Sequence, residues 1–158
     1  MPATSVRAMS DIDPTDPVVV LCAAGMQAEG AGDTDGARGL FEQAWHAATT
    51  DYQGCIAAHY MARHQRDPAD TLKWNERCLS LANAVGDESV ATFYPSAYLN
   101  IGSTLEQLGR WQAAEEAYAE AEQVLSRLGG DGYGRLVRDA VARGRARVAD
   151  HRQAIAGA

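Results

Sequence analysis

The sequence has little of what a β-fold, a membrane protein or a metal centre requires. Aromatic residues make up 7% of its 158 residues, and the one β-branched run is Val18-Val19-Val20. Strands need such runs repeatedly, so a sheet is not expected. No apolar stretch approaches the roughly 18 residues of a membrane span, and Met1 to Ser10 lacks the apolar core of a signal peptide. The three cysteines, Cys22, Cys55 and Cys78, are odd in number and widely spaced, with no CxxC and no Cys/His cluster. They read as reduced, buried packing residues in a cytoplasmic protein, with no metal site. There is no nucleophile elbow, phosphate loop, dinucleotide glycine motif or HExxH. No cofactor is therefore implied, and the reading leans towards binding rather than catalysis.

Positive charge is also scarce. The net charge is −7 and Lys73 is the single lysine. Such a chain is repelled by phosphate backbones, which argues against a nucleic-acid role. The arginines gather late, at Arg135, Arg138, Arg143, Arg145, Arg147 and Arg152. Arginine in place of lysine, with much alanine and glycine, points to a GC-rich bacterial genome.

What is present is alanine, with Leu, Phe, Tyr and Trp at helical spacing, the pattern of helices packed through small residues. The pattern repeats. Around Gly25 stand Leu21, Ala24, Ala28, Gly32, Ala37, Phe41 and Ala44; around Gly102, at the same offsets, stand Tyr98, Ile101, Leu105, Gly109, Ala114, Tyr118 and Ala121. Each set describes a helical hairpin. Gly25 and Gly102 are small where the two helices cross, and Gly32 and Gly109 end the first helix in a left-handed conformation. Phe41 and Tyr118 fill the space one turn after Ala37 and Ala114. A middle copy lies 34 residues after the first, with His59 at the glycine place, Asn75 at the aromatic place and Arg66-Asp67-Pro68 as its turn. Trp74 is a candidate for the missing bulk. Trp45, Trp74 and Trp111 read as core or turn-covering residues. Asp51 is expected to cap the helix that follows it.

From His59 to Gly102 the step is 43 residues. The extra piece, Glu88 to Tyr94, either forms a separate turn or extends the next helix, and a long helix kinked at Pro95 is the favoured form. A last helix over 134–149 carries Leu136, Val137, Ala140, Val141, Gly144 and Val148 as its apolar stripe. Residues 1–15 read as a flexible tail, with Met9 as a second candidate start, 16–153 as the helical repeat domain, and 154–158 as a flexible end.

These residues resemble the tetratricopeptide-repeat superfamily over 17–150, with two strong copies, one degenerate copy and a terminal helix. The block 58–65, with Trp74-Asn75, Phe93 to Ser96 and Leu99-Asn100, is similar to small bacterial repeat proteins. The resemblance implies an all-α, right-handed superhelix of antiparallel hairpins, about three repeats plus a C-terminal capping helix. It implies a concave groove lined by the first helix of each hairpin. Repeats lengthened to roughly 40 residues occur in this superfamily in kinesin-light-chain-like arrays.

Helical phase places Cys22, Met26 and Glu29 on the groove in the first copy, Ile56, Tyr60, Arg63 and His64 in the middle one, and Ser96, Leu99, Ser103 and Glu106 in the third, with Asn100 beside them. Tyr60, Arg63, His64, Tyr94, Tyr98, Asn100, Glu29 and Met26 are the candidate binding residues. Arg63 suits a carboxylate or phosphate, or else a structural pair with Glu29 or Glu106. Tyr60, Tyr94 and Tyr98 offer flat contacts with a hydroxyl, and Asn100 suits an amide. His64 suits either a ligand or the carbonyls at a helix end. His59 reads as a buried, hydrogen-bonded histidine. The carboxylate clamp of chaperone-tail receptors is not matched, because the corresponding places hold Cys22, Met26, Ala57, Ser96 and Asn100. Two functions compete. One is a protein- or peptide-binding adaptor using the groove; the other is a protein that binds, sequesters or transforms a small molecule in a pocket of the same residues. A homodimer through groove or terminal helices is a third arrangement.

Overall fold

The computed structural model describes residues 12–158, so the first eleven residues of the expected tail, Met9 included, lie outside it. The described residues form seven α-helices and no strand: α1 Pro17–Gly30, α2 Thr34–Ala47, α3 Asp51–Met61, α4 Pro68–Val85, α5 Phe93–Gln107, α6 Trp111–Gln123 and α7 Gly132–Ala156. None of these helices is long and apolar enough to cross a membrane. The packing is sequential. α1 pairs with α2, α3 with α4 and α5 with α6, and each hairpin rests on the next. α1 also touches α3, and α5 touches α7, but α3 and α5 have no comparable contact.

Local chemistry sets the helix ends. Asp16, Asp33, Asp67 and Asp131 each accept a backbone N–H in the first turn of α1, α2, α4 and α7. α3 is capped by Thr50, whose hydroxyl accepts from Gln53 N at 3.1 Å, and Asp51 is its first helical residue rather than its cap. Gly32 and Gly109 hold φ of +81° and +71°, as their place after a helix end requires.

The hairpin rule is steric. A Cβ on Gly25 would lie 2.3 Å from the ring of Phe41, and one on Gly102 would lie 2.7 Å from the ring of Tyr118. Each ring therefore sits directly on the opposite helix backbone. Gly144 of α7 closes on the other side of Tyr118, where a Cβ would lie 2.4 Å from the ring. Trp74 packs edge-on to Trp45 at 4.9 Å, with Arg77 over both rings, and does not line the space beside the ring-free position 75. Cys55 and Cys78 meet at 3.7 Å between α3 and α4 as buried free thiols.

Four features differ from the sequence expectation. The piece after α4 is a separate turn, not a kinked helix. Gly86 ends α4 at φ +68°, Asp87 caps a short 3-10 turn over Glu88–Val90, and fully buried Val90 pins it to Cys55, Cys78 and Ala82. Pro95 then falls in the first turn of α5, where its missing N–H costs nothing. The last helix continues to Ala156, because nothing before Gly157 interrupts it. Leu136, assigned to its apolar stripe, is 62% exposed, while Val137, Val141, Gly144 and Val148 are buried. Residues 13–16 make a turn that leads into α1, with Asp13 accepting from the Thr15 amide and hydroxyl.

Candidate functional site

The first helices enclose an apolar pocket of about 290 Å³. α1 contributes Val19, Cys22, Ala23 and Met26; α3 contributes Ile56, His59 and Tyr60; α5 contributes Phe93 and Ser96. Tyr133 of α7 and Ile12 with Pro14 close the sides. Helical geometry explains the set: Cys22 with Met26, and Ile56 with Tyr60, are one turn apart and share a face. The aromatic wall is ordered. Tyr60 stacks on Phe41 at 5.3 Å, and His59 stands edge-on to Tyr60 at 5.1 Å and to Phe93 at 5.8 Å.

Cys22 and His59 are titratable pocket residues, and burial shifts both. Burial, reinforced by the Asp16 carboxylate, pushes the Cys22 thiol up to about 12, so it stays protonated at neutral pH. Burial, with the nearby Arg63 charge, pulls His59 down to about 4, so its ring is neutral there. His59 is buried as expected. It is not fully hydrogen-bonded, since its Nδ1 bonds to no protein group among the described residues.

The expected binding residues do not form one site. Met26 and Tyr60 line the pocket. Arg63 and His64 instead converge on Glu29. Arg63 donates from Nε at 2.9 Å and from Nη2 at 2.7 Å, and His64 Nε2 lies 2.5 Å from Oε1. Burial raises the Glu29 carboxyl, but the bonds from Arg63 and His64 outweigh it and the net shift is downward. His64 reaches this position by adopting φ +61° in the turn after α3, where its carbonyl accepts from Arg38 Nε. Arg63 thus has the structural partner weighed in its sequence reading. Tyr94 turns away, donating to Asn83 Oδ1 at 2.9 Å with Arg127 over its ring. Tyr98 packs with Leu125 and the cluster around Val137. Asn100 lies on a separate polar chamber between α3 and α5.

Sequence reasoning treated His59 as a packing residue and missed Phe93 and Tyr133. The signal at His59 was present: a ring stands where the other copies have glycine. Tyr133 carried none, since it reaches the pocket only through the return of α7 onto α5 and α6. Among the described residues no group of three or more His, Cys, Asp or Glu side chains is placed to hold a metal.

The neutral state of His59 links stability to pH. Its folded pKa lies below the ordinary value near 6.5, so the folded protein binds fewer protons than the unfolded chain between these values. The stabilisation is complete above pH 6.5 and fades as pH falls towards 4, by about 2–3 kcal/mol. Glu29 and Glu106 are shifted downward from 4.5, so their own losses come at lower pH. Wild type is expected to lose stability between pH 6.5 and 4.5 in urea titrations, and His59→Gln to show a flatter curve. Parallel curves would remove this assignment.

Comparison of the chain with protein-family models, with curated proteins and with solved structures finds no match.

Proposed function

We propose that the chain is a binding protein of the tetratricopeptide-repeat type, a right-handed superhelical array that takes a compact apolar ligand into the pocket on its first-helix face. The observation that carries this reading is the pocket itself, about 290 Å³ and walled by α1, α3, α5, α7 and the 12–14 segment. Its size is near the lower end of small-ligand sites, and its lining is apolar with a few polar atoms, as such sites require. The repeat assignment draws support from two recurring contacts. Gly25 with Phe41 and Gly102 with Tyr118 make the same contact at the same offset. Glu29 receives a bidentate pair from Arg63, 34 residues on in the turn after α3, and Glu106 receives one from Arg147, 41 residues on in α7.

A peptide partner is a second reading, and Met26 favours it. Met26 is 47% exposed and carries apolar surface from the pocket out to solvent. A bulky side chain of an extended segment would then anchor in the pocket. Arg63 and His64 would contribute little to recognition, being held by Glu29.

The test uses the neutral fluorophore 1-aminoanthracene and Ala23→Trp. Ala23 is an exposed residue of α1 on the pocket wall, so a larger side chain there should fill the mouth with stability changed by no more than about 0.5 kcal/mol. Wild type should bind one equivalent with enhanced fluorescence, and Ala23→Trp should bind at least tenfold more weakly. Equal binding by both would sink the pocket assignment. Displacement of the dye by apolar peptides but not by their free side-chain analogues would favour the peptide reading.

A further inference from the structure

Two polar atoms of the middle hairpin, His59 Nδ1 and Asn75 Oδ1, bond to no protein group among the described residues, but both are sealed from solvent and offer nothing to a ligand. The Tyr60 hydroxyl is the contrasting case. It makes no hydrogen bond to a protein group among the described residues either, yet Tyr60 is only half-buried and its oxygen keeps contact with solvent.

The surroundings of Tyr60 place that oxygen on the apolar pocket. The ring stacks on Phe41 at 5.3 Å and meets His59 edge-on at 5.1 Å, which fixes it in the wall. The hydroxyl lies within electrostatic reach of the Cys22 thiol and the Tyr133 phenol, both of which line the pocket, and of Arg63 and Glu29 outside it. Cys22, Met26 and Glu29 follow one another along one face of α1. The hydroxyl therefore faces that stripe, near the mouth where Met26 reaches solvent. Burial, then the Cys22 thiol, push the phenol above its ordinary value, so at neutral pH it is an uncharged O–H donor.

An accessible but unpartnered donor on an apolar wall selects among ligands. A hydrocarbon that fills the pocket strips water from the hydroxyl and leaves it unpaired, which costs binding. A ligand with an oxygen acceptor at that place restores the bond. Sites built around such a group reject analogues that lack the partner. A charged head fits less well. Arg63, the cation the hydroxyl senses, is bonded twice to Glu29, and Glu29 also meets His64, so neither sign of charge finds a free counter-charge there.

We propose that the pocket selects an uncharged ligand with an apolar body and a carbonyl oxygen, a ketone or an ester, and that the Tyr60 hydroxyl donates to that oxygen. The proposal rests on the apolar pocket being the ligand site.

The test is displacement of 1-aminoanthracene from the full chain by compounds of one shape. These are 2-acetylnaphthalene, 2-isopropenylnaphthalene, in which a methylene replaces the carbonyl oxygen, and 2-naphthoate, which is charged. Tyr60→Phe keeps the ring and removes an oxygen that holds nothing in the protein, so it should fold as stably as wild type. The ketone is expected to bind Tyr60→Phe about fivefold or more weakly than wild type, while the hydrocarbon binds the variant at least as tightly. 2-Naphthoate should bind wild type about tenfold or more weakly than the ketone does. Equal changes for ketone and hydrocarbon in Tyr60→Phe would overturn the proposal and leave the pocket reading standing, since both compounds would still displace the dye. Tighter binding of 2-naphthoate than of the ketone would also overturn it. A wild-type chain that binds no dye would overturn both readings.

Discussion

Tyr118→Ala should lower stability by about 3–5 kcal/mol, the range for removing a fully buried aromatic side chain, and release the C-terminal third of the chain first. Tyr118 is fully buried in a cluster with Leu72, Ile101, Leu105, Ala114 and Val148. Its ring is gripped by two backbones, with hypothetical Cβ atoms on Gly102 and Gly144 only 2.7 Å and 2.4 Å away. Helices spaced by glycine cannot collapse onto the void without breaking their own ridges, so most of the cavity cost should persist. The phenol has a second role. It donates to Glu106, which also receives Arg147 from α7 at 3.0 Å and 2.8 Å. Burial first, then the Glu106 bond and charge, push Tyr118 up to about 12, so the phenol remains a donor at neutral pH. Tyr118→Phe keeps the ring and loses that bond, and should cost about 1–2 kcal/mol. Urea unfolding measures both losses, and amide exchange should locate the first opening in α7. A loss below about 1 kcal/mol for Tyr118→Ala would mean that the ring does not join α5, α6 and α7.

The exchange of ring and small residue between His59 and Asn75 should appear as strong coupling. Asn75→Phe alone restores the ring of the other hairpins, but in the orientation of Phe41 it meets the Cβ of His59. It should cost about 1–3 kcal/mol, as overpacking does. His59→Gly alone removes a ring and places glycine in a helix interior, and should cost about 2–4 kcal/mol. The double variant reproduces the Gly25–Phe41 pair and removes both orphaned polar atoms. It should be more stable than either single variant and at least as stable as wild type, with a coupling of about 2 kcal/mol or more between sites that line one space. Additive losses would show that positions 59 and 75 are not exchanged partners. A gain in the double variant would mean that the wild-type pair is kept for something other than stability.

The parts of this molecule that follow from local rules could be read from the sequence. Glycine against ring at a fixed offset placed α1, α2, α5 and α6, and the positive φ of Gly32 and Gly109 followed from their place after a helix end. Helical phase put Cys22, Met26, Ile56, Tyr60 and Ser96 on one wall, and these residues share the pocket. What could not be read depends on contacts between distant segments. Helical spacing cannot distinguish a kink at Pro95 from a break at Gly86, and the burial of Val90 under α3 and α4 decides it. Phase also cannot tell whether a polar side chain meets a ligand or another helix. Arg63 and His64 point along the groove, yet the carboxylate of Glu29, a full repeat earlier, holds them. Tyr94 and Tyr98 flank Pro95, but the turn before α5 directs Tyr94 towards Asn83 and Arg127.

The central claim is that the apolar first-helix pocket is where ligand binds, and methyl-resolved NMR tests it most directly. With Ile, Val, Leu and Met methyls labelled, 1-aminoanthracene is added to the full chain. The expected result is saturable shifts at Val19, Met26 and Ile56, complete near one equivalent, with Ile101 and Val148 in the other core cluster unmoved. The contradicting result is a response confined to the exposed Leu136 and Ile155 of α7, or one spread over all methyls without saturation.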